Sequence, residues 1–146
     1  MDNIICFHNP DEPNGFLSNW YVSEFQVNQI RYTSVEQYMM HQKALLFGDT
    51  DTAKKIMATN QVNLIKAYGQ EITPYNDNRW GNQRYQIVYT GVLEKFKQNE
   101  GLTRQLLETD DAILAECAVR DCIWGIGLSM KDVRRLNLSE WRGENL

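Results

Sequence analysis

Apolar residues recur at three- and four-residue intervals along most of the chain and alternate at two-residue intervals in only a few short stretches. The clearest helical pattern is Trp80, Arg84, Ile87, Val88, Gly91, Val92, Lys95 and Phe96, which holds over about five turns. A second runs through Val35, Tyr38, Met39, Gln42, Leu45 and Leu46, predicting a helix that buries this stripe and ends near Gly48. Asp49 or Thr50 can cap a further helix through Met57, and Asn60 or Gln61 can start one that runs to Ala67 and stops at Gly69. Leu102, Leu106 and Leu107 mark a short helix closed by Thr109-Asp110-Asp111. Strand signals are the run Ile4-Ile5-Cys6-Phe7 and the alternating pair Glu24–Val27 and Ile30–Thr33. Asn28-Gln29 between that pair predicts a hairpin. The helical period fails from Ile113 onward, where an apolar run, the polar turn Arg120-Asp121 and then Trp124 beside Gly125 and Gly127 predict a strand, a turn and a close backbone approach to a ligand or another segment.

Thr33-Ser34-Val35-Glu36-Gln37 joins local structure to chemistry. Ser34 with Gln37 three residues later predicts a capping box, the Ser34 hydroxyl accepting from the Gln37 N–H and the Gln37 side chain from the Ser34 N–H. The helix then begins at Val35 and puts Glu36 in its first turn, where unpaired N–H groups and the helix dipole favour negative charge. Such a carboxylate can act as nucleophile or base, or can simply stabilise the helix. Met40, Lys43 and Phe47 continue the Glu36 face, so Lys43 is either a phosphate grip or a solvated lysine. Pro74 with Asn76-Asp77-Asn78 forms a polar loop that places Arg79 and Trp80 at the next helix start, where Trp80 either projects into a cleft or packs. Near the N-terminus, the aromatic residues beside Ser18 and Asn19 form either a stacking wall with polar handles or part of the core.

Composition narrows the class. The 146 residues fit one domain with one core, and 42% hydrophobic with 23% charged residues is globular. No apolar run approaches the ~20 residues of a membrane helix, and Met1-Asp2-Asn3-Ile4 lacks the basic flank of a signal peptide, so a cytoplasmic location is expected. Cys6, Cys117 and Cys122 form no framework and are expected as reduced thiols. His8 and His41 have no metal-binding spacing; His41 is expected at the surface, and no metal site is predicted. A net charge of −4 argues against a broad grip on duplex DNA and leaves room for a local pocket for one phosphorylated ligand. Gly125-Ile126-Gly127 lacks the third glycine and the context of a dinucleotide fingerprint.

Several blocks together carry a resemblance: Phe16-Leu17-Ser18-Asn19, Tyr32 through Met40, Lys43-Ala44, Lys95 through Asn99, and Leu114-Ala115-Glu116 through Asp121-Cys122-Ile123-Trp124-Gly125-Ile126-Gly127. In order and spacing they resemble the NADAR family, also called YbiA-like. The resemblance implies an α+β, mainly α fold, one compact domain of helices with a few short strands over residues 1–146. It implies cleavage of N-glycosidic bonds, in phosphoribosylamino-pyrimidine intermediates of riboflavin synthesis or in ADP-ribosylated guanine, free or in nucleic acid. The family's active-site Glu matches Glu36, its pocket Trp matches Trp80, and the Asp and Trp of its D-x-I-W-G block match Asp121 and Trp124, with Gly125 following. Two departures stand out. Gln70 follows Gly69 where many members carry Arg, and the family continues past Trp-Arg-Gly-x-Asn-Leu into a last helix, whereas this sequence stops at Leu146. Without that helix an apolar docking site near Trp141 is expected.

The chemistry agrees with the residues. Cleaving a ribosyl N-glycosidic bond builds oxocarbenium character that a carboxylate stabilises, and a carboxyl pair can activate water and protonate the leaving base. Glu36 and Asp121 are the expected catalytic pair. Trp80 and Trp124 offer faces for the base, Lys43 or Arg84 a grip on phosphate, and Asn19 and Gly125 further substrate contacts. No metal or redox cofactor is called for, the expected partner is a small nucleotide or ADP-ribosyl compound, and no membrane or obligate protein partner is indicated. Two other classes are a nucleotide- or ADP-ribose-binding module without turnover, and a purely structural protein.

Overall fold

The computed structural model describes residues 3–146; Met1 and Asp2, which open the stretch read above for a targeting signal, lie outside them. The described elements are four short strands, β1 (Ile4–Phe7), β2 (Phe25–Val27), β3 (Ile30–Tyr32) and β4 (Ile113–Glu116), and five helices, α1 (Val35–Leu46), α2 (Thr50–Met57), α3 (Val62–Glu71), α4 (Asp77–Gln98) and α5 (Glu100–Leu107). The fold is α+β and mainly α. No helix among the described residues is long and apolar enough to cross a membrane. The chain forms two units, residues 22–103 and residues 3–21 with 104–146.

In the first unit α1 packs against α2, α3 and α4. Being surrounded, it buries more than one stripe: Glu36, Gln37, Met40 and His41 are buried along with Val35, Tyr38 and Met39. The predicted stripe is therefore too narrow at its start and too generous at its end, where Leu45 is 47% exposed. His41 is likewise not at the surface. It is buried, with Nδ1 2.8 Å from the Tyr32 hydroxyl, and burial lowers its pKa. The helix start is where the sequence put it: the Ser34 Oγ accepts from the Gln37 N–H at 3.1 Å. The other half of the box differs, because the Gln37 Oε1 accepts from the Thr33 N–H (2.8 Å) instead of that of Ser34. Gln37 Nε2 then donates to the Ile56 and Thr59 carbonyls at the end of α2, so one amide both caps α1 and ties it to its neighbour.

The β2–β3 hairpin precedes α1, and Asn28 and Gln29 both adopt left-handed backbone (φ 52° and 68°), as a two-residue hairpin turn with right-handed strand twist requires. Phe25, Tyr32 and Tyr38 form an aromatic cluster under it, with centroids 5.0–6.1 Å apart. Gln98, at the end of α4, clamps the hairpin through a reciprocal amide pair: its Oε1 accepts from the Gln26 N–H and its Nε2 donates to the Gln26 carbonyl, both at 2.7 Å. Asn99 adds a bond to the Glu24 carbonyl (3.0 Å). The polar end of the Lys95–Asn99 block thus secures the strand pair that delivers the chain to Glu36.

Helix α3 continues through Gly69 to Glu71, a correction to the predicted stop. Gly69 is there for space: a Cβ would stand 1.9 Å from the Met40 sulfur of α1. The glycine permits close packing of two helices and does not terminate one.

The second unit pairs β1 with β4 in parallel, Cys6 opposite Ala115. Ala115, Cys117, Ile126 and Leu128 form its core, with Ile4, Cys6, Met130 and Trp141 packed against them. The three cysteines are unpaired; burial first, then the neighbouring Cys6 thiol, pushes the Cys117 thiol up to about 12. Residues 142–146 lie along the Cys122–Gly127 stretch. The Arg142 and Gly143 N–H groups donate to the Ile126 carbonyl, Glu144 to Cys122, Asn145 to Gly125 and Leu146 to Ile123. The Asn145 side chain bridges β4, accepting from the Glu116 N–H and donating to the Leu114 carbonyl. The spaced glycines admit another segment of backbone. A Cβ on Gly143 would lie 2.1 Å from the Gly125 carbonyl oxygen, and Gly127 has φ +72°. Gly143→Ala is therefore expected to lower stability by about 1–3 kcal/mol, since the clash is with backbone that cannot swing aside. Denaturant midpoints measure it, with Gly101→Ala in α5, where a Cβ meets open space, as the control that loses nothing.

Trp141, beside the expected docking site, is half-buried against the unit's core, and its indole N–H donates to the Arg135 carbonyl at 2.9 Å. The exposed apolar side chains nearby in sequence are Val133, Leu136, Leu138 and Leu146.

Candidate active site

Glu36, Lys43, Trp80 and Arg84 belong to the helical unit; Asn19, Asp121, Trp124 and Gly125 belong to the other. In the helical unit the four share one region, where α1 lies against α4. The helices run antiparallel: Gly91 faces Val35 and Tyr38 near the start of α1, and Trp80 faces Lys43 near its end. Arg84, one turn beyond Trp80 on the same side of α4, falls between.

Glu36 is buried, 6% exposed, in the first turn of α1. The N-terminal dipole of α1 favours its negative charge. The charge of Glu36 is felt by Lys43, whose pKa burial lowers while Glu36 raises it, burial being the larger effect. Lys43 is thus neither simply solvated nor free. Its Nζ donates to the Gly69 carbonyl at 3.0 Å, near the C-terminal end of α3, and stands 4.9 Å from the Tyr75 ring centroid and 5.6 Å from that of Trp80. One donor holds a helix end, and two remain for an anion.

Trp80 is 7% exposed, so most of its surface is packing. Asn76 caps the helix that carries it, accepting from the Arg79 N–H at 2.9 Å. The Arg84 Nε is buried and has no hydrogen-bond partner among the described residues, a donor that an anion would satisfy. The sequence reading missed Tyr75, and it placed Phe47 and Arg79 without giving either a role at the site. Tyr75 packs edge-on against Phe47 with centroids 5.2 Å apart, and the Arg79 guanidinium lies 5.8 Å from the Phe47 ring centroid. Aromatic residues at the helix end and in the polar loop were the available signal. Lys95 was also missed as a buried group. It is 1% exposed on α4, its Nζ 4.9 Å from the Phe96 ring centroid, and burial pushes its pKa down to about 7.

In the other unit Asp121 has a positional task. Its Oδ1 accepts from the N–H groups of Ile123 (3.0 Å) and Trp124 (2.9 Å), which fixes the turn presenting the half-buried Trp124. Gly125 is buried, and a Cβ there would lie 2.9 Å from the Asp121 carbonyl and 3.0 Å from that of Glu116. Its role in the structure is the backbone approach. Asn19 is half-buried in the turn after the 3-10 segment Gly15–Leu17, next to Ser18, whose Oγ accepts from the Trp20 N–H at 3.1 Å. Among the described residues no three His, Cys, Asp or Glu side chains cluster to hold a metal ion.

A carboxylate at a helix start, a cation two turns on and indole and phenol rings beside that cation suit a sugar phosphate attached to a planar base. The family model of the NADAR domain matches residues 6–146. The chain belongs to the NADAR family. This NADAR chain is 35% identical to an N-glycosidase of Acanthamoeba polyphaga mimivirus, the match covering 99% of the chain and 90% of that protein. It is 32% identical, over 87% of its length, to a riboflavin biosynthesis protein of Vibrio vulnificus, of which the match covers 34%. Among solved structures, the NMR structure of the E. coli protein YbiA superposes with a TM-score of 0.76 at 26% identity, covering 97% of the chain and 83% of YbiA. The NADAR chain is accordingly a hydrolase of N-glycosyl bonds, and its YbiA-like fold is the one its blocks implied.

Proposed function

We propose that the chain hydrolyses the N-glycosidic bond of a phosphorylated ribosyl-base compound, with Glu36 as the chief catalytic carboxylate. The observation that carries this reading is the burial of Glu36 in the first turn of α1, close enough to Lys43 for the two charges to act on each other. As the bond between the anomeric carbon and the base nitrogen breaks, its electron pair leaves with the base and positive charge grows on the ribosyl ring. A carboxylate in place stabilises that charge or takes a proton from the attacking water, which supplies the hydroxyl to the anomeric carbon while the base leaves with a proton. Lys43 and Arg84, the second with an unsatisfied buried N–H, hold the phosphate and so fix the ribose against Glu36. Trp80 closes the wall beside Lys43. Asp121, Trp124, Gly125 and Asn19 complete the reading as substrate contacts or, for Asp121, as a second carboxyl.

The substrates proposed are a phosphoribosylamino-pyrimidine intermediate of riboflavin synthesis and an ADP-ribosylated guanine, encountered in the cytoplasm. The NADAR relative named for riboflavin biosynthesis supports the first. Incubation of the protein with each compound separately, with products resolved by mass, is expected to release free base from one of them. Binding of either without release of base would instead describe a nucleotide-binding module.

A further inference from the structure

We infer that Cys6 and Cys117 form a binding site for a soft monovalent cation of the copper(I) class, in the unit that holds the β1–β4 pair and independent of the reading of Glu36.

The register brings the two sulfurs together. Cys6 lies opposite Ala115, and side chains alternate along a strand, so Cys117, two residues on, shares the face of Cys6. The Cys117 N–H donates to the Phe7 carbonyl at 2.8 Å, which carries the pairing one residue past the end of β4 and holds Cys117 in place. The two thiols hydrogen-bond to each other, and neither is in a disulfide. Met130, which carries a third sulfur, packs on the same cluster of Ala115, Cys117, Ile126 and Leu128.

This donor set selects by softness. Thiolate and thioether sulfur favour copper(I), a cation that is stable with few ligands. Magnesium and calcium need several oxygens, and structural zinc needs four nitrogen or sulfur ligands. Among the described residues no third His, Cys, Asp or Glu joins the two cysteines, so the harder ions lack their set.

Binding replaces two S–H bonds by two S–Cu bonds and releases both protons, so the bound pair carries one net negative charge into apolar surroundings. Such a charge costs free energy unless a cation offsets it. Arg135 is placed to do so. Burial first, then the Cys6 thiol and, last, Glu116 keep Cys117 protonated, and the Arg135 charge acts in the opposite direction, favouring the thiolate. The Arg135 Nε is buried and has no hydrogen-bond partner among the described residues, a donor that a metal-bound thiolate satisfies. The residue is held by its Nη1, which donates to the Asp132 carbonyl at 3.0 Å, and by its own carbonyl, which accepts from the Trp141 indole. Cys6 is half-buried and Cys117 buried, so the ion enters by way of Cys6. Once bound it ties β1 to the root of the turn in which Asp121 fixes Trp124.

The test is anaerobic competition between the reduced protein and the coloured copper(I) complex of bicinchoninate. About one equivalent of copper(I) is expected to pass to the protein, with loss of the colour. Removing a ligand costs more than the roughly 10–100-fold of an outer-shell change, so Cys6→Ala and Cys117→Ala are each expected to lower the affinity by at least ~10²-fold, and Cys122→Ser to keep it. On the unaltered protein, copper(I) is expected to slow alkylation of Cys6 by iodoacetamide while the exposed Cys122 is still labelled, a footprint that depends on no variant folding. No withdrawal of copper(I), retained affinity in Cys6→Ala, a loss confined to Cys122→Ser, or labelling of Cys6 at the same rate with and without copper(I) would overturn the inference.

Discussion

Replacing Trp80 with Ala is expected to lower stability by about 3–5 kcal/mol, the range for removing a buried aromatic side chain. Trp80 is 7% exposed and sits at the start of α4, where it meets the Lys43 that also holds the end of α3. The substitution leaves a cavity next to a cation that has lost one of its two aromatic neighbours, while the Asn76 cap and the helix start persist. A denaturant titration measures the effect as a lower midpoint at unchanged slope. A loss below about 1 kcal/mol would mean the ring is not core and would leave ligand stacking as its whole purpose.

The features written in short-range chemistry were the ones legible in the sequence. Ser34 and Gln37 announced the start of α1, the repeat from Trp80 to Phe96 announced α4, and the alternation on either side of Asn28-Gln29 announced the hairpin, although neither turn residue is glycine. What escaped depends on which elements meet. Nothing local to His41 indicates that Tyr32 will cover it, and nothing local to Gly69 distinguishes a helix terminator from a glycine making room for Met40. The same holds for Gln37, whose side chain spans from α1 to the α2 end.

The candidate site divides similarly. Glu36 and Lys43 were placed on one side of α1 by spacing alone, and each charge does act on the other. That Lys43 spends a donor on Gly69 could not be read, because the two are 26 residues apart and meet through the packing of α3 on α1. Tyr75 was passed over because it lies in a polar loop whose composition speaks only of a turn. Asp121 and Gly125 carried the family resemblance, and the structure gives each a local task, a double N–H acceptor and a backbone approach.

Glu36→Gln is expected to lower turnover by at least ~10²-fold while substrate still binds. The substitution keeps the size of the side chain, the Ser34 cap and the helix start, and removes only the negative charge. If the carboxylate stabilises the ribosyl cation or activates water, its loss falls on kcat, since that interaction grows in the transition state. A carboxylate present only to complement the helix dipole predicts the opposite split, a loss of roughly 0.3–1 kcal/mol of stability with turnover nearly intact. Lys43 gives a second readout: without the Glu36 charge, which raises its pKa, burial lowers that pKa further. The direct measurement is release of free base at saturating substrate by the unaltered protein and by Glu36→Gln, with binding followed in parallel. Loss of base release with retained binding is the predicted result, and base release at the full rate by Glu36→Gln would contradict it.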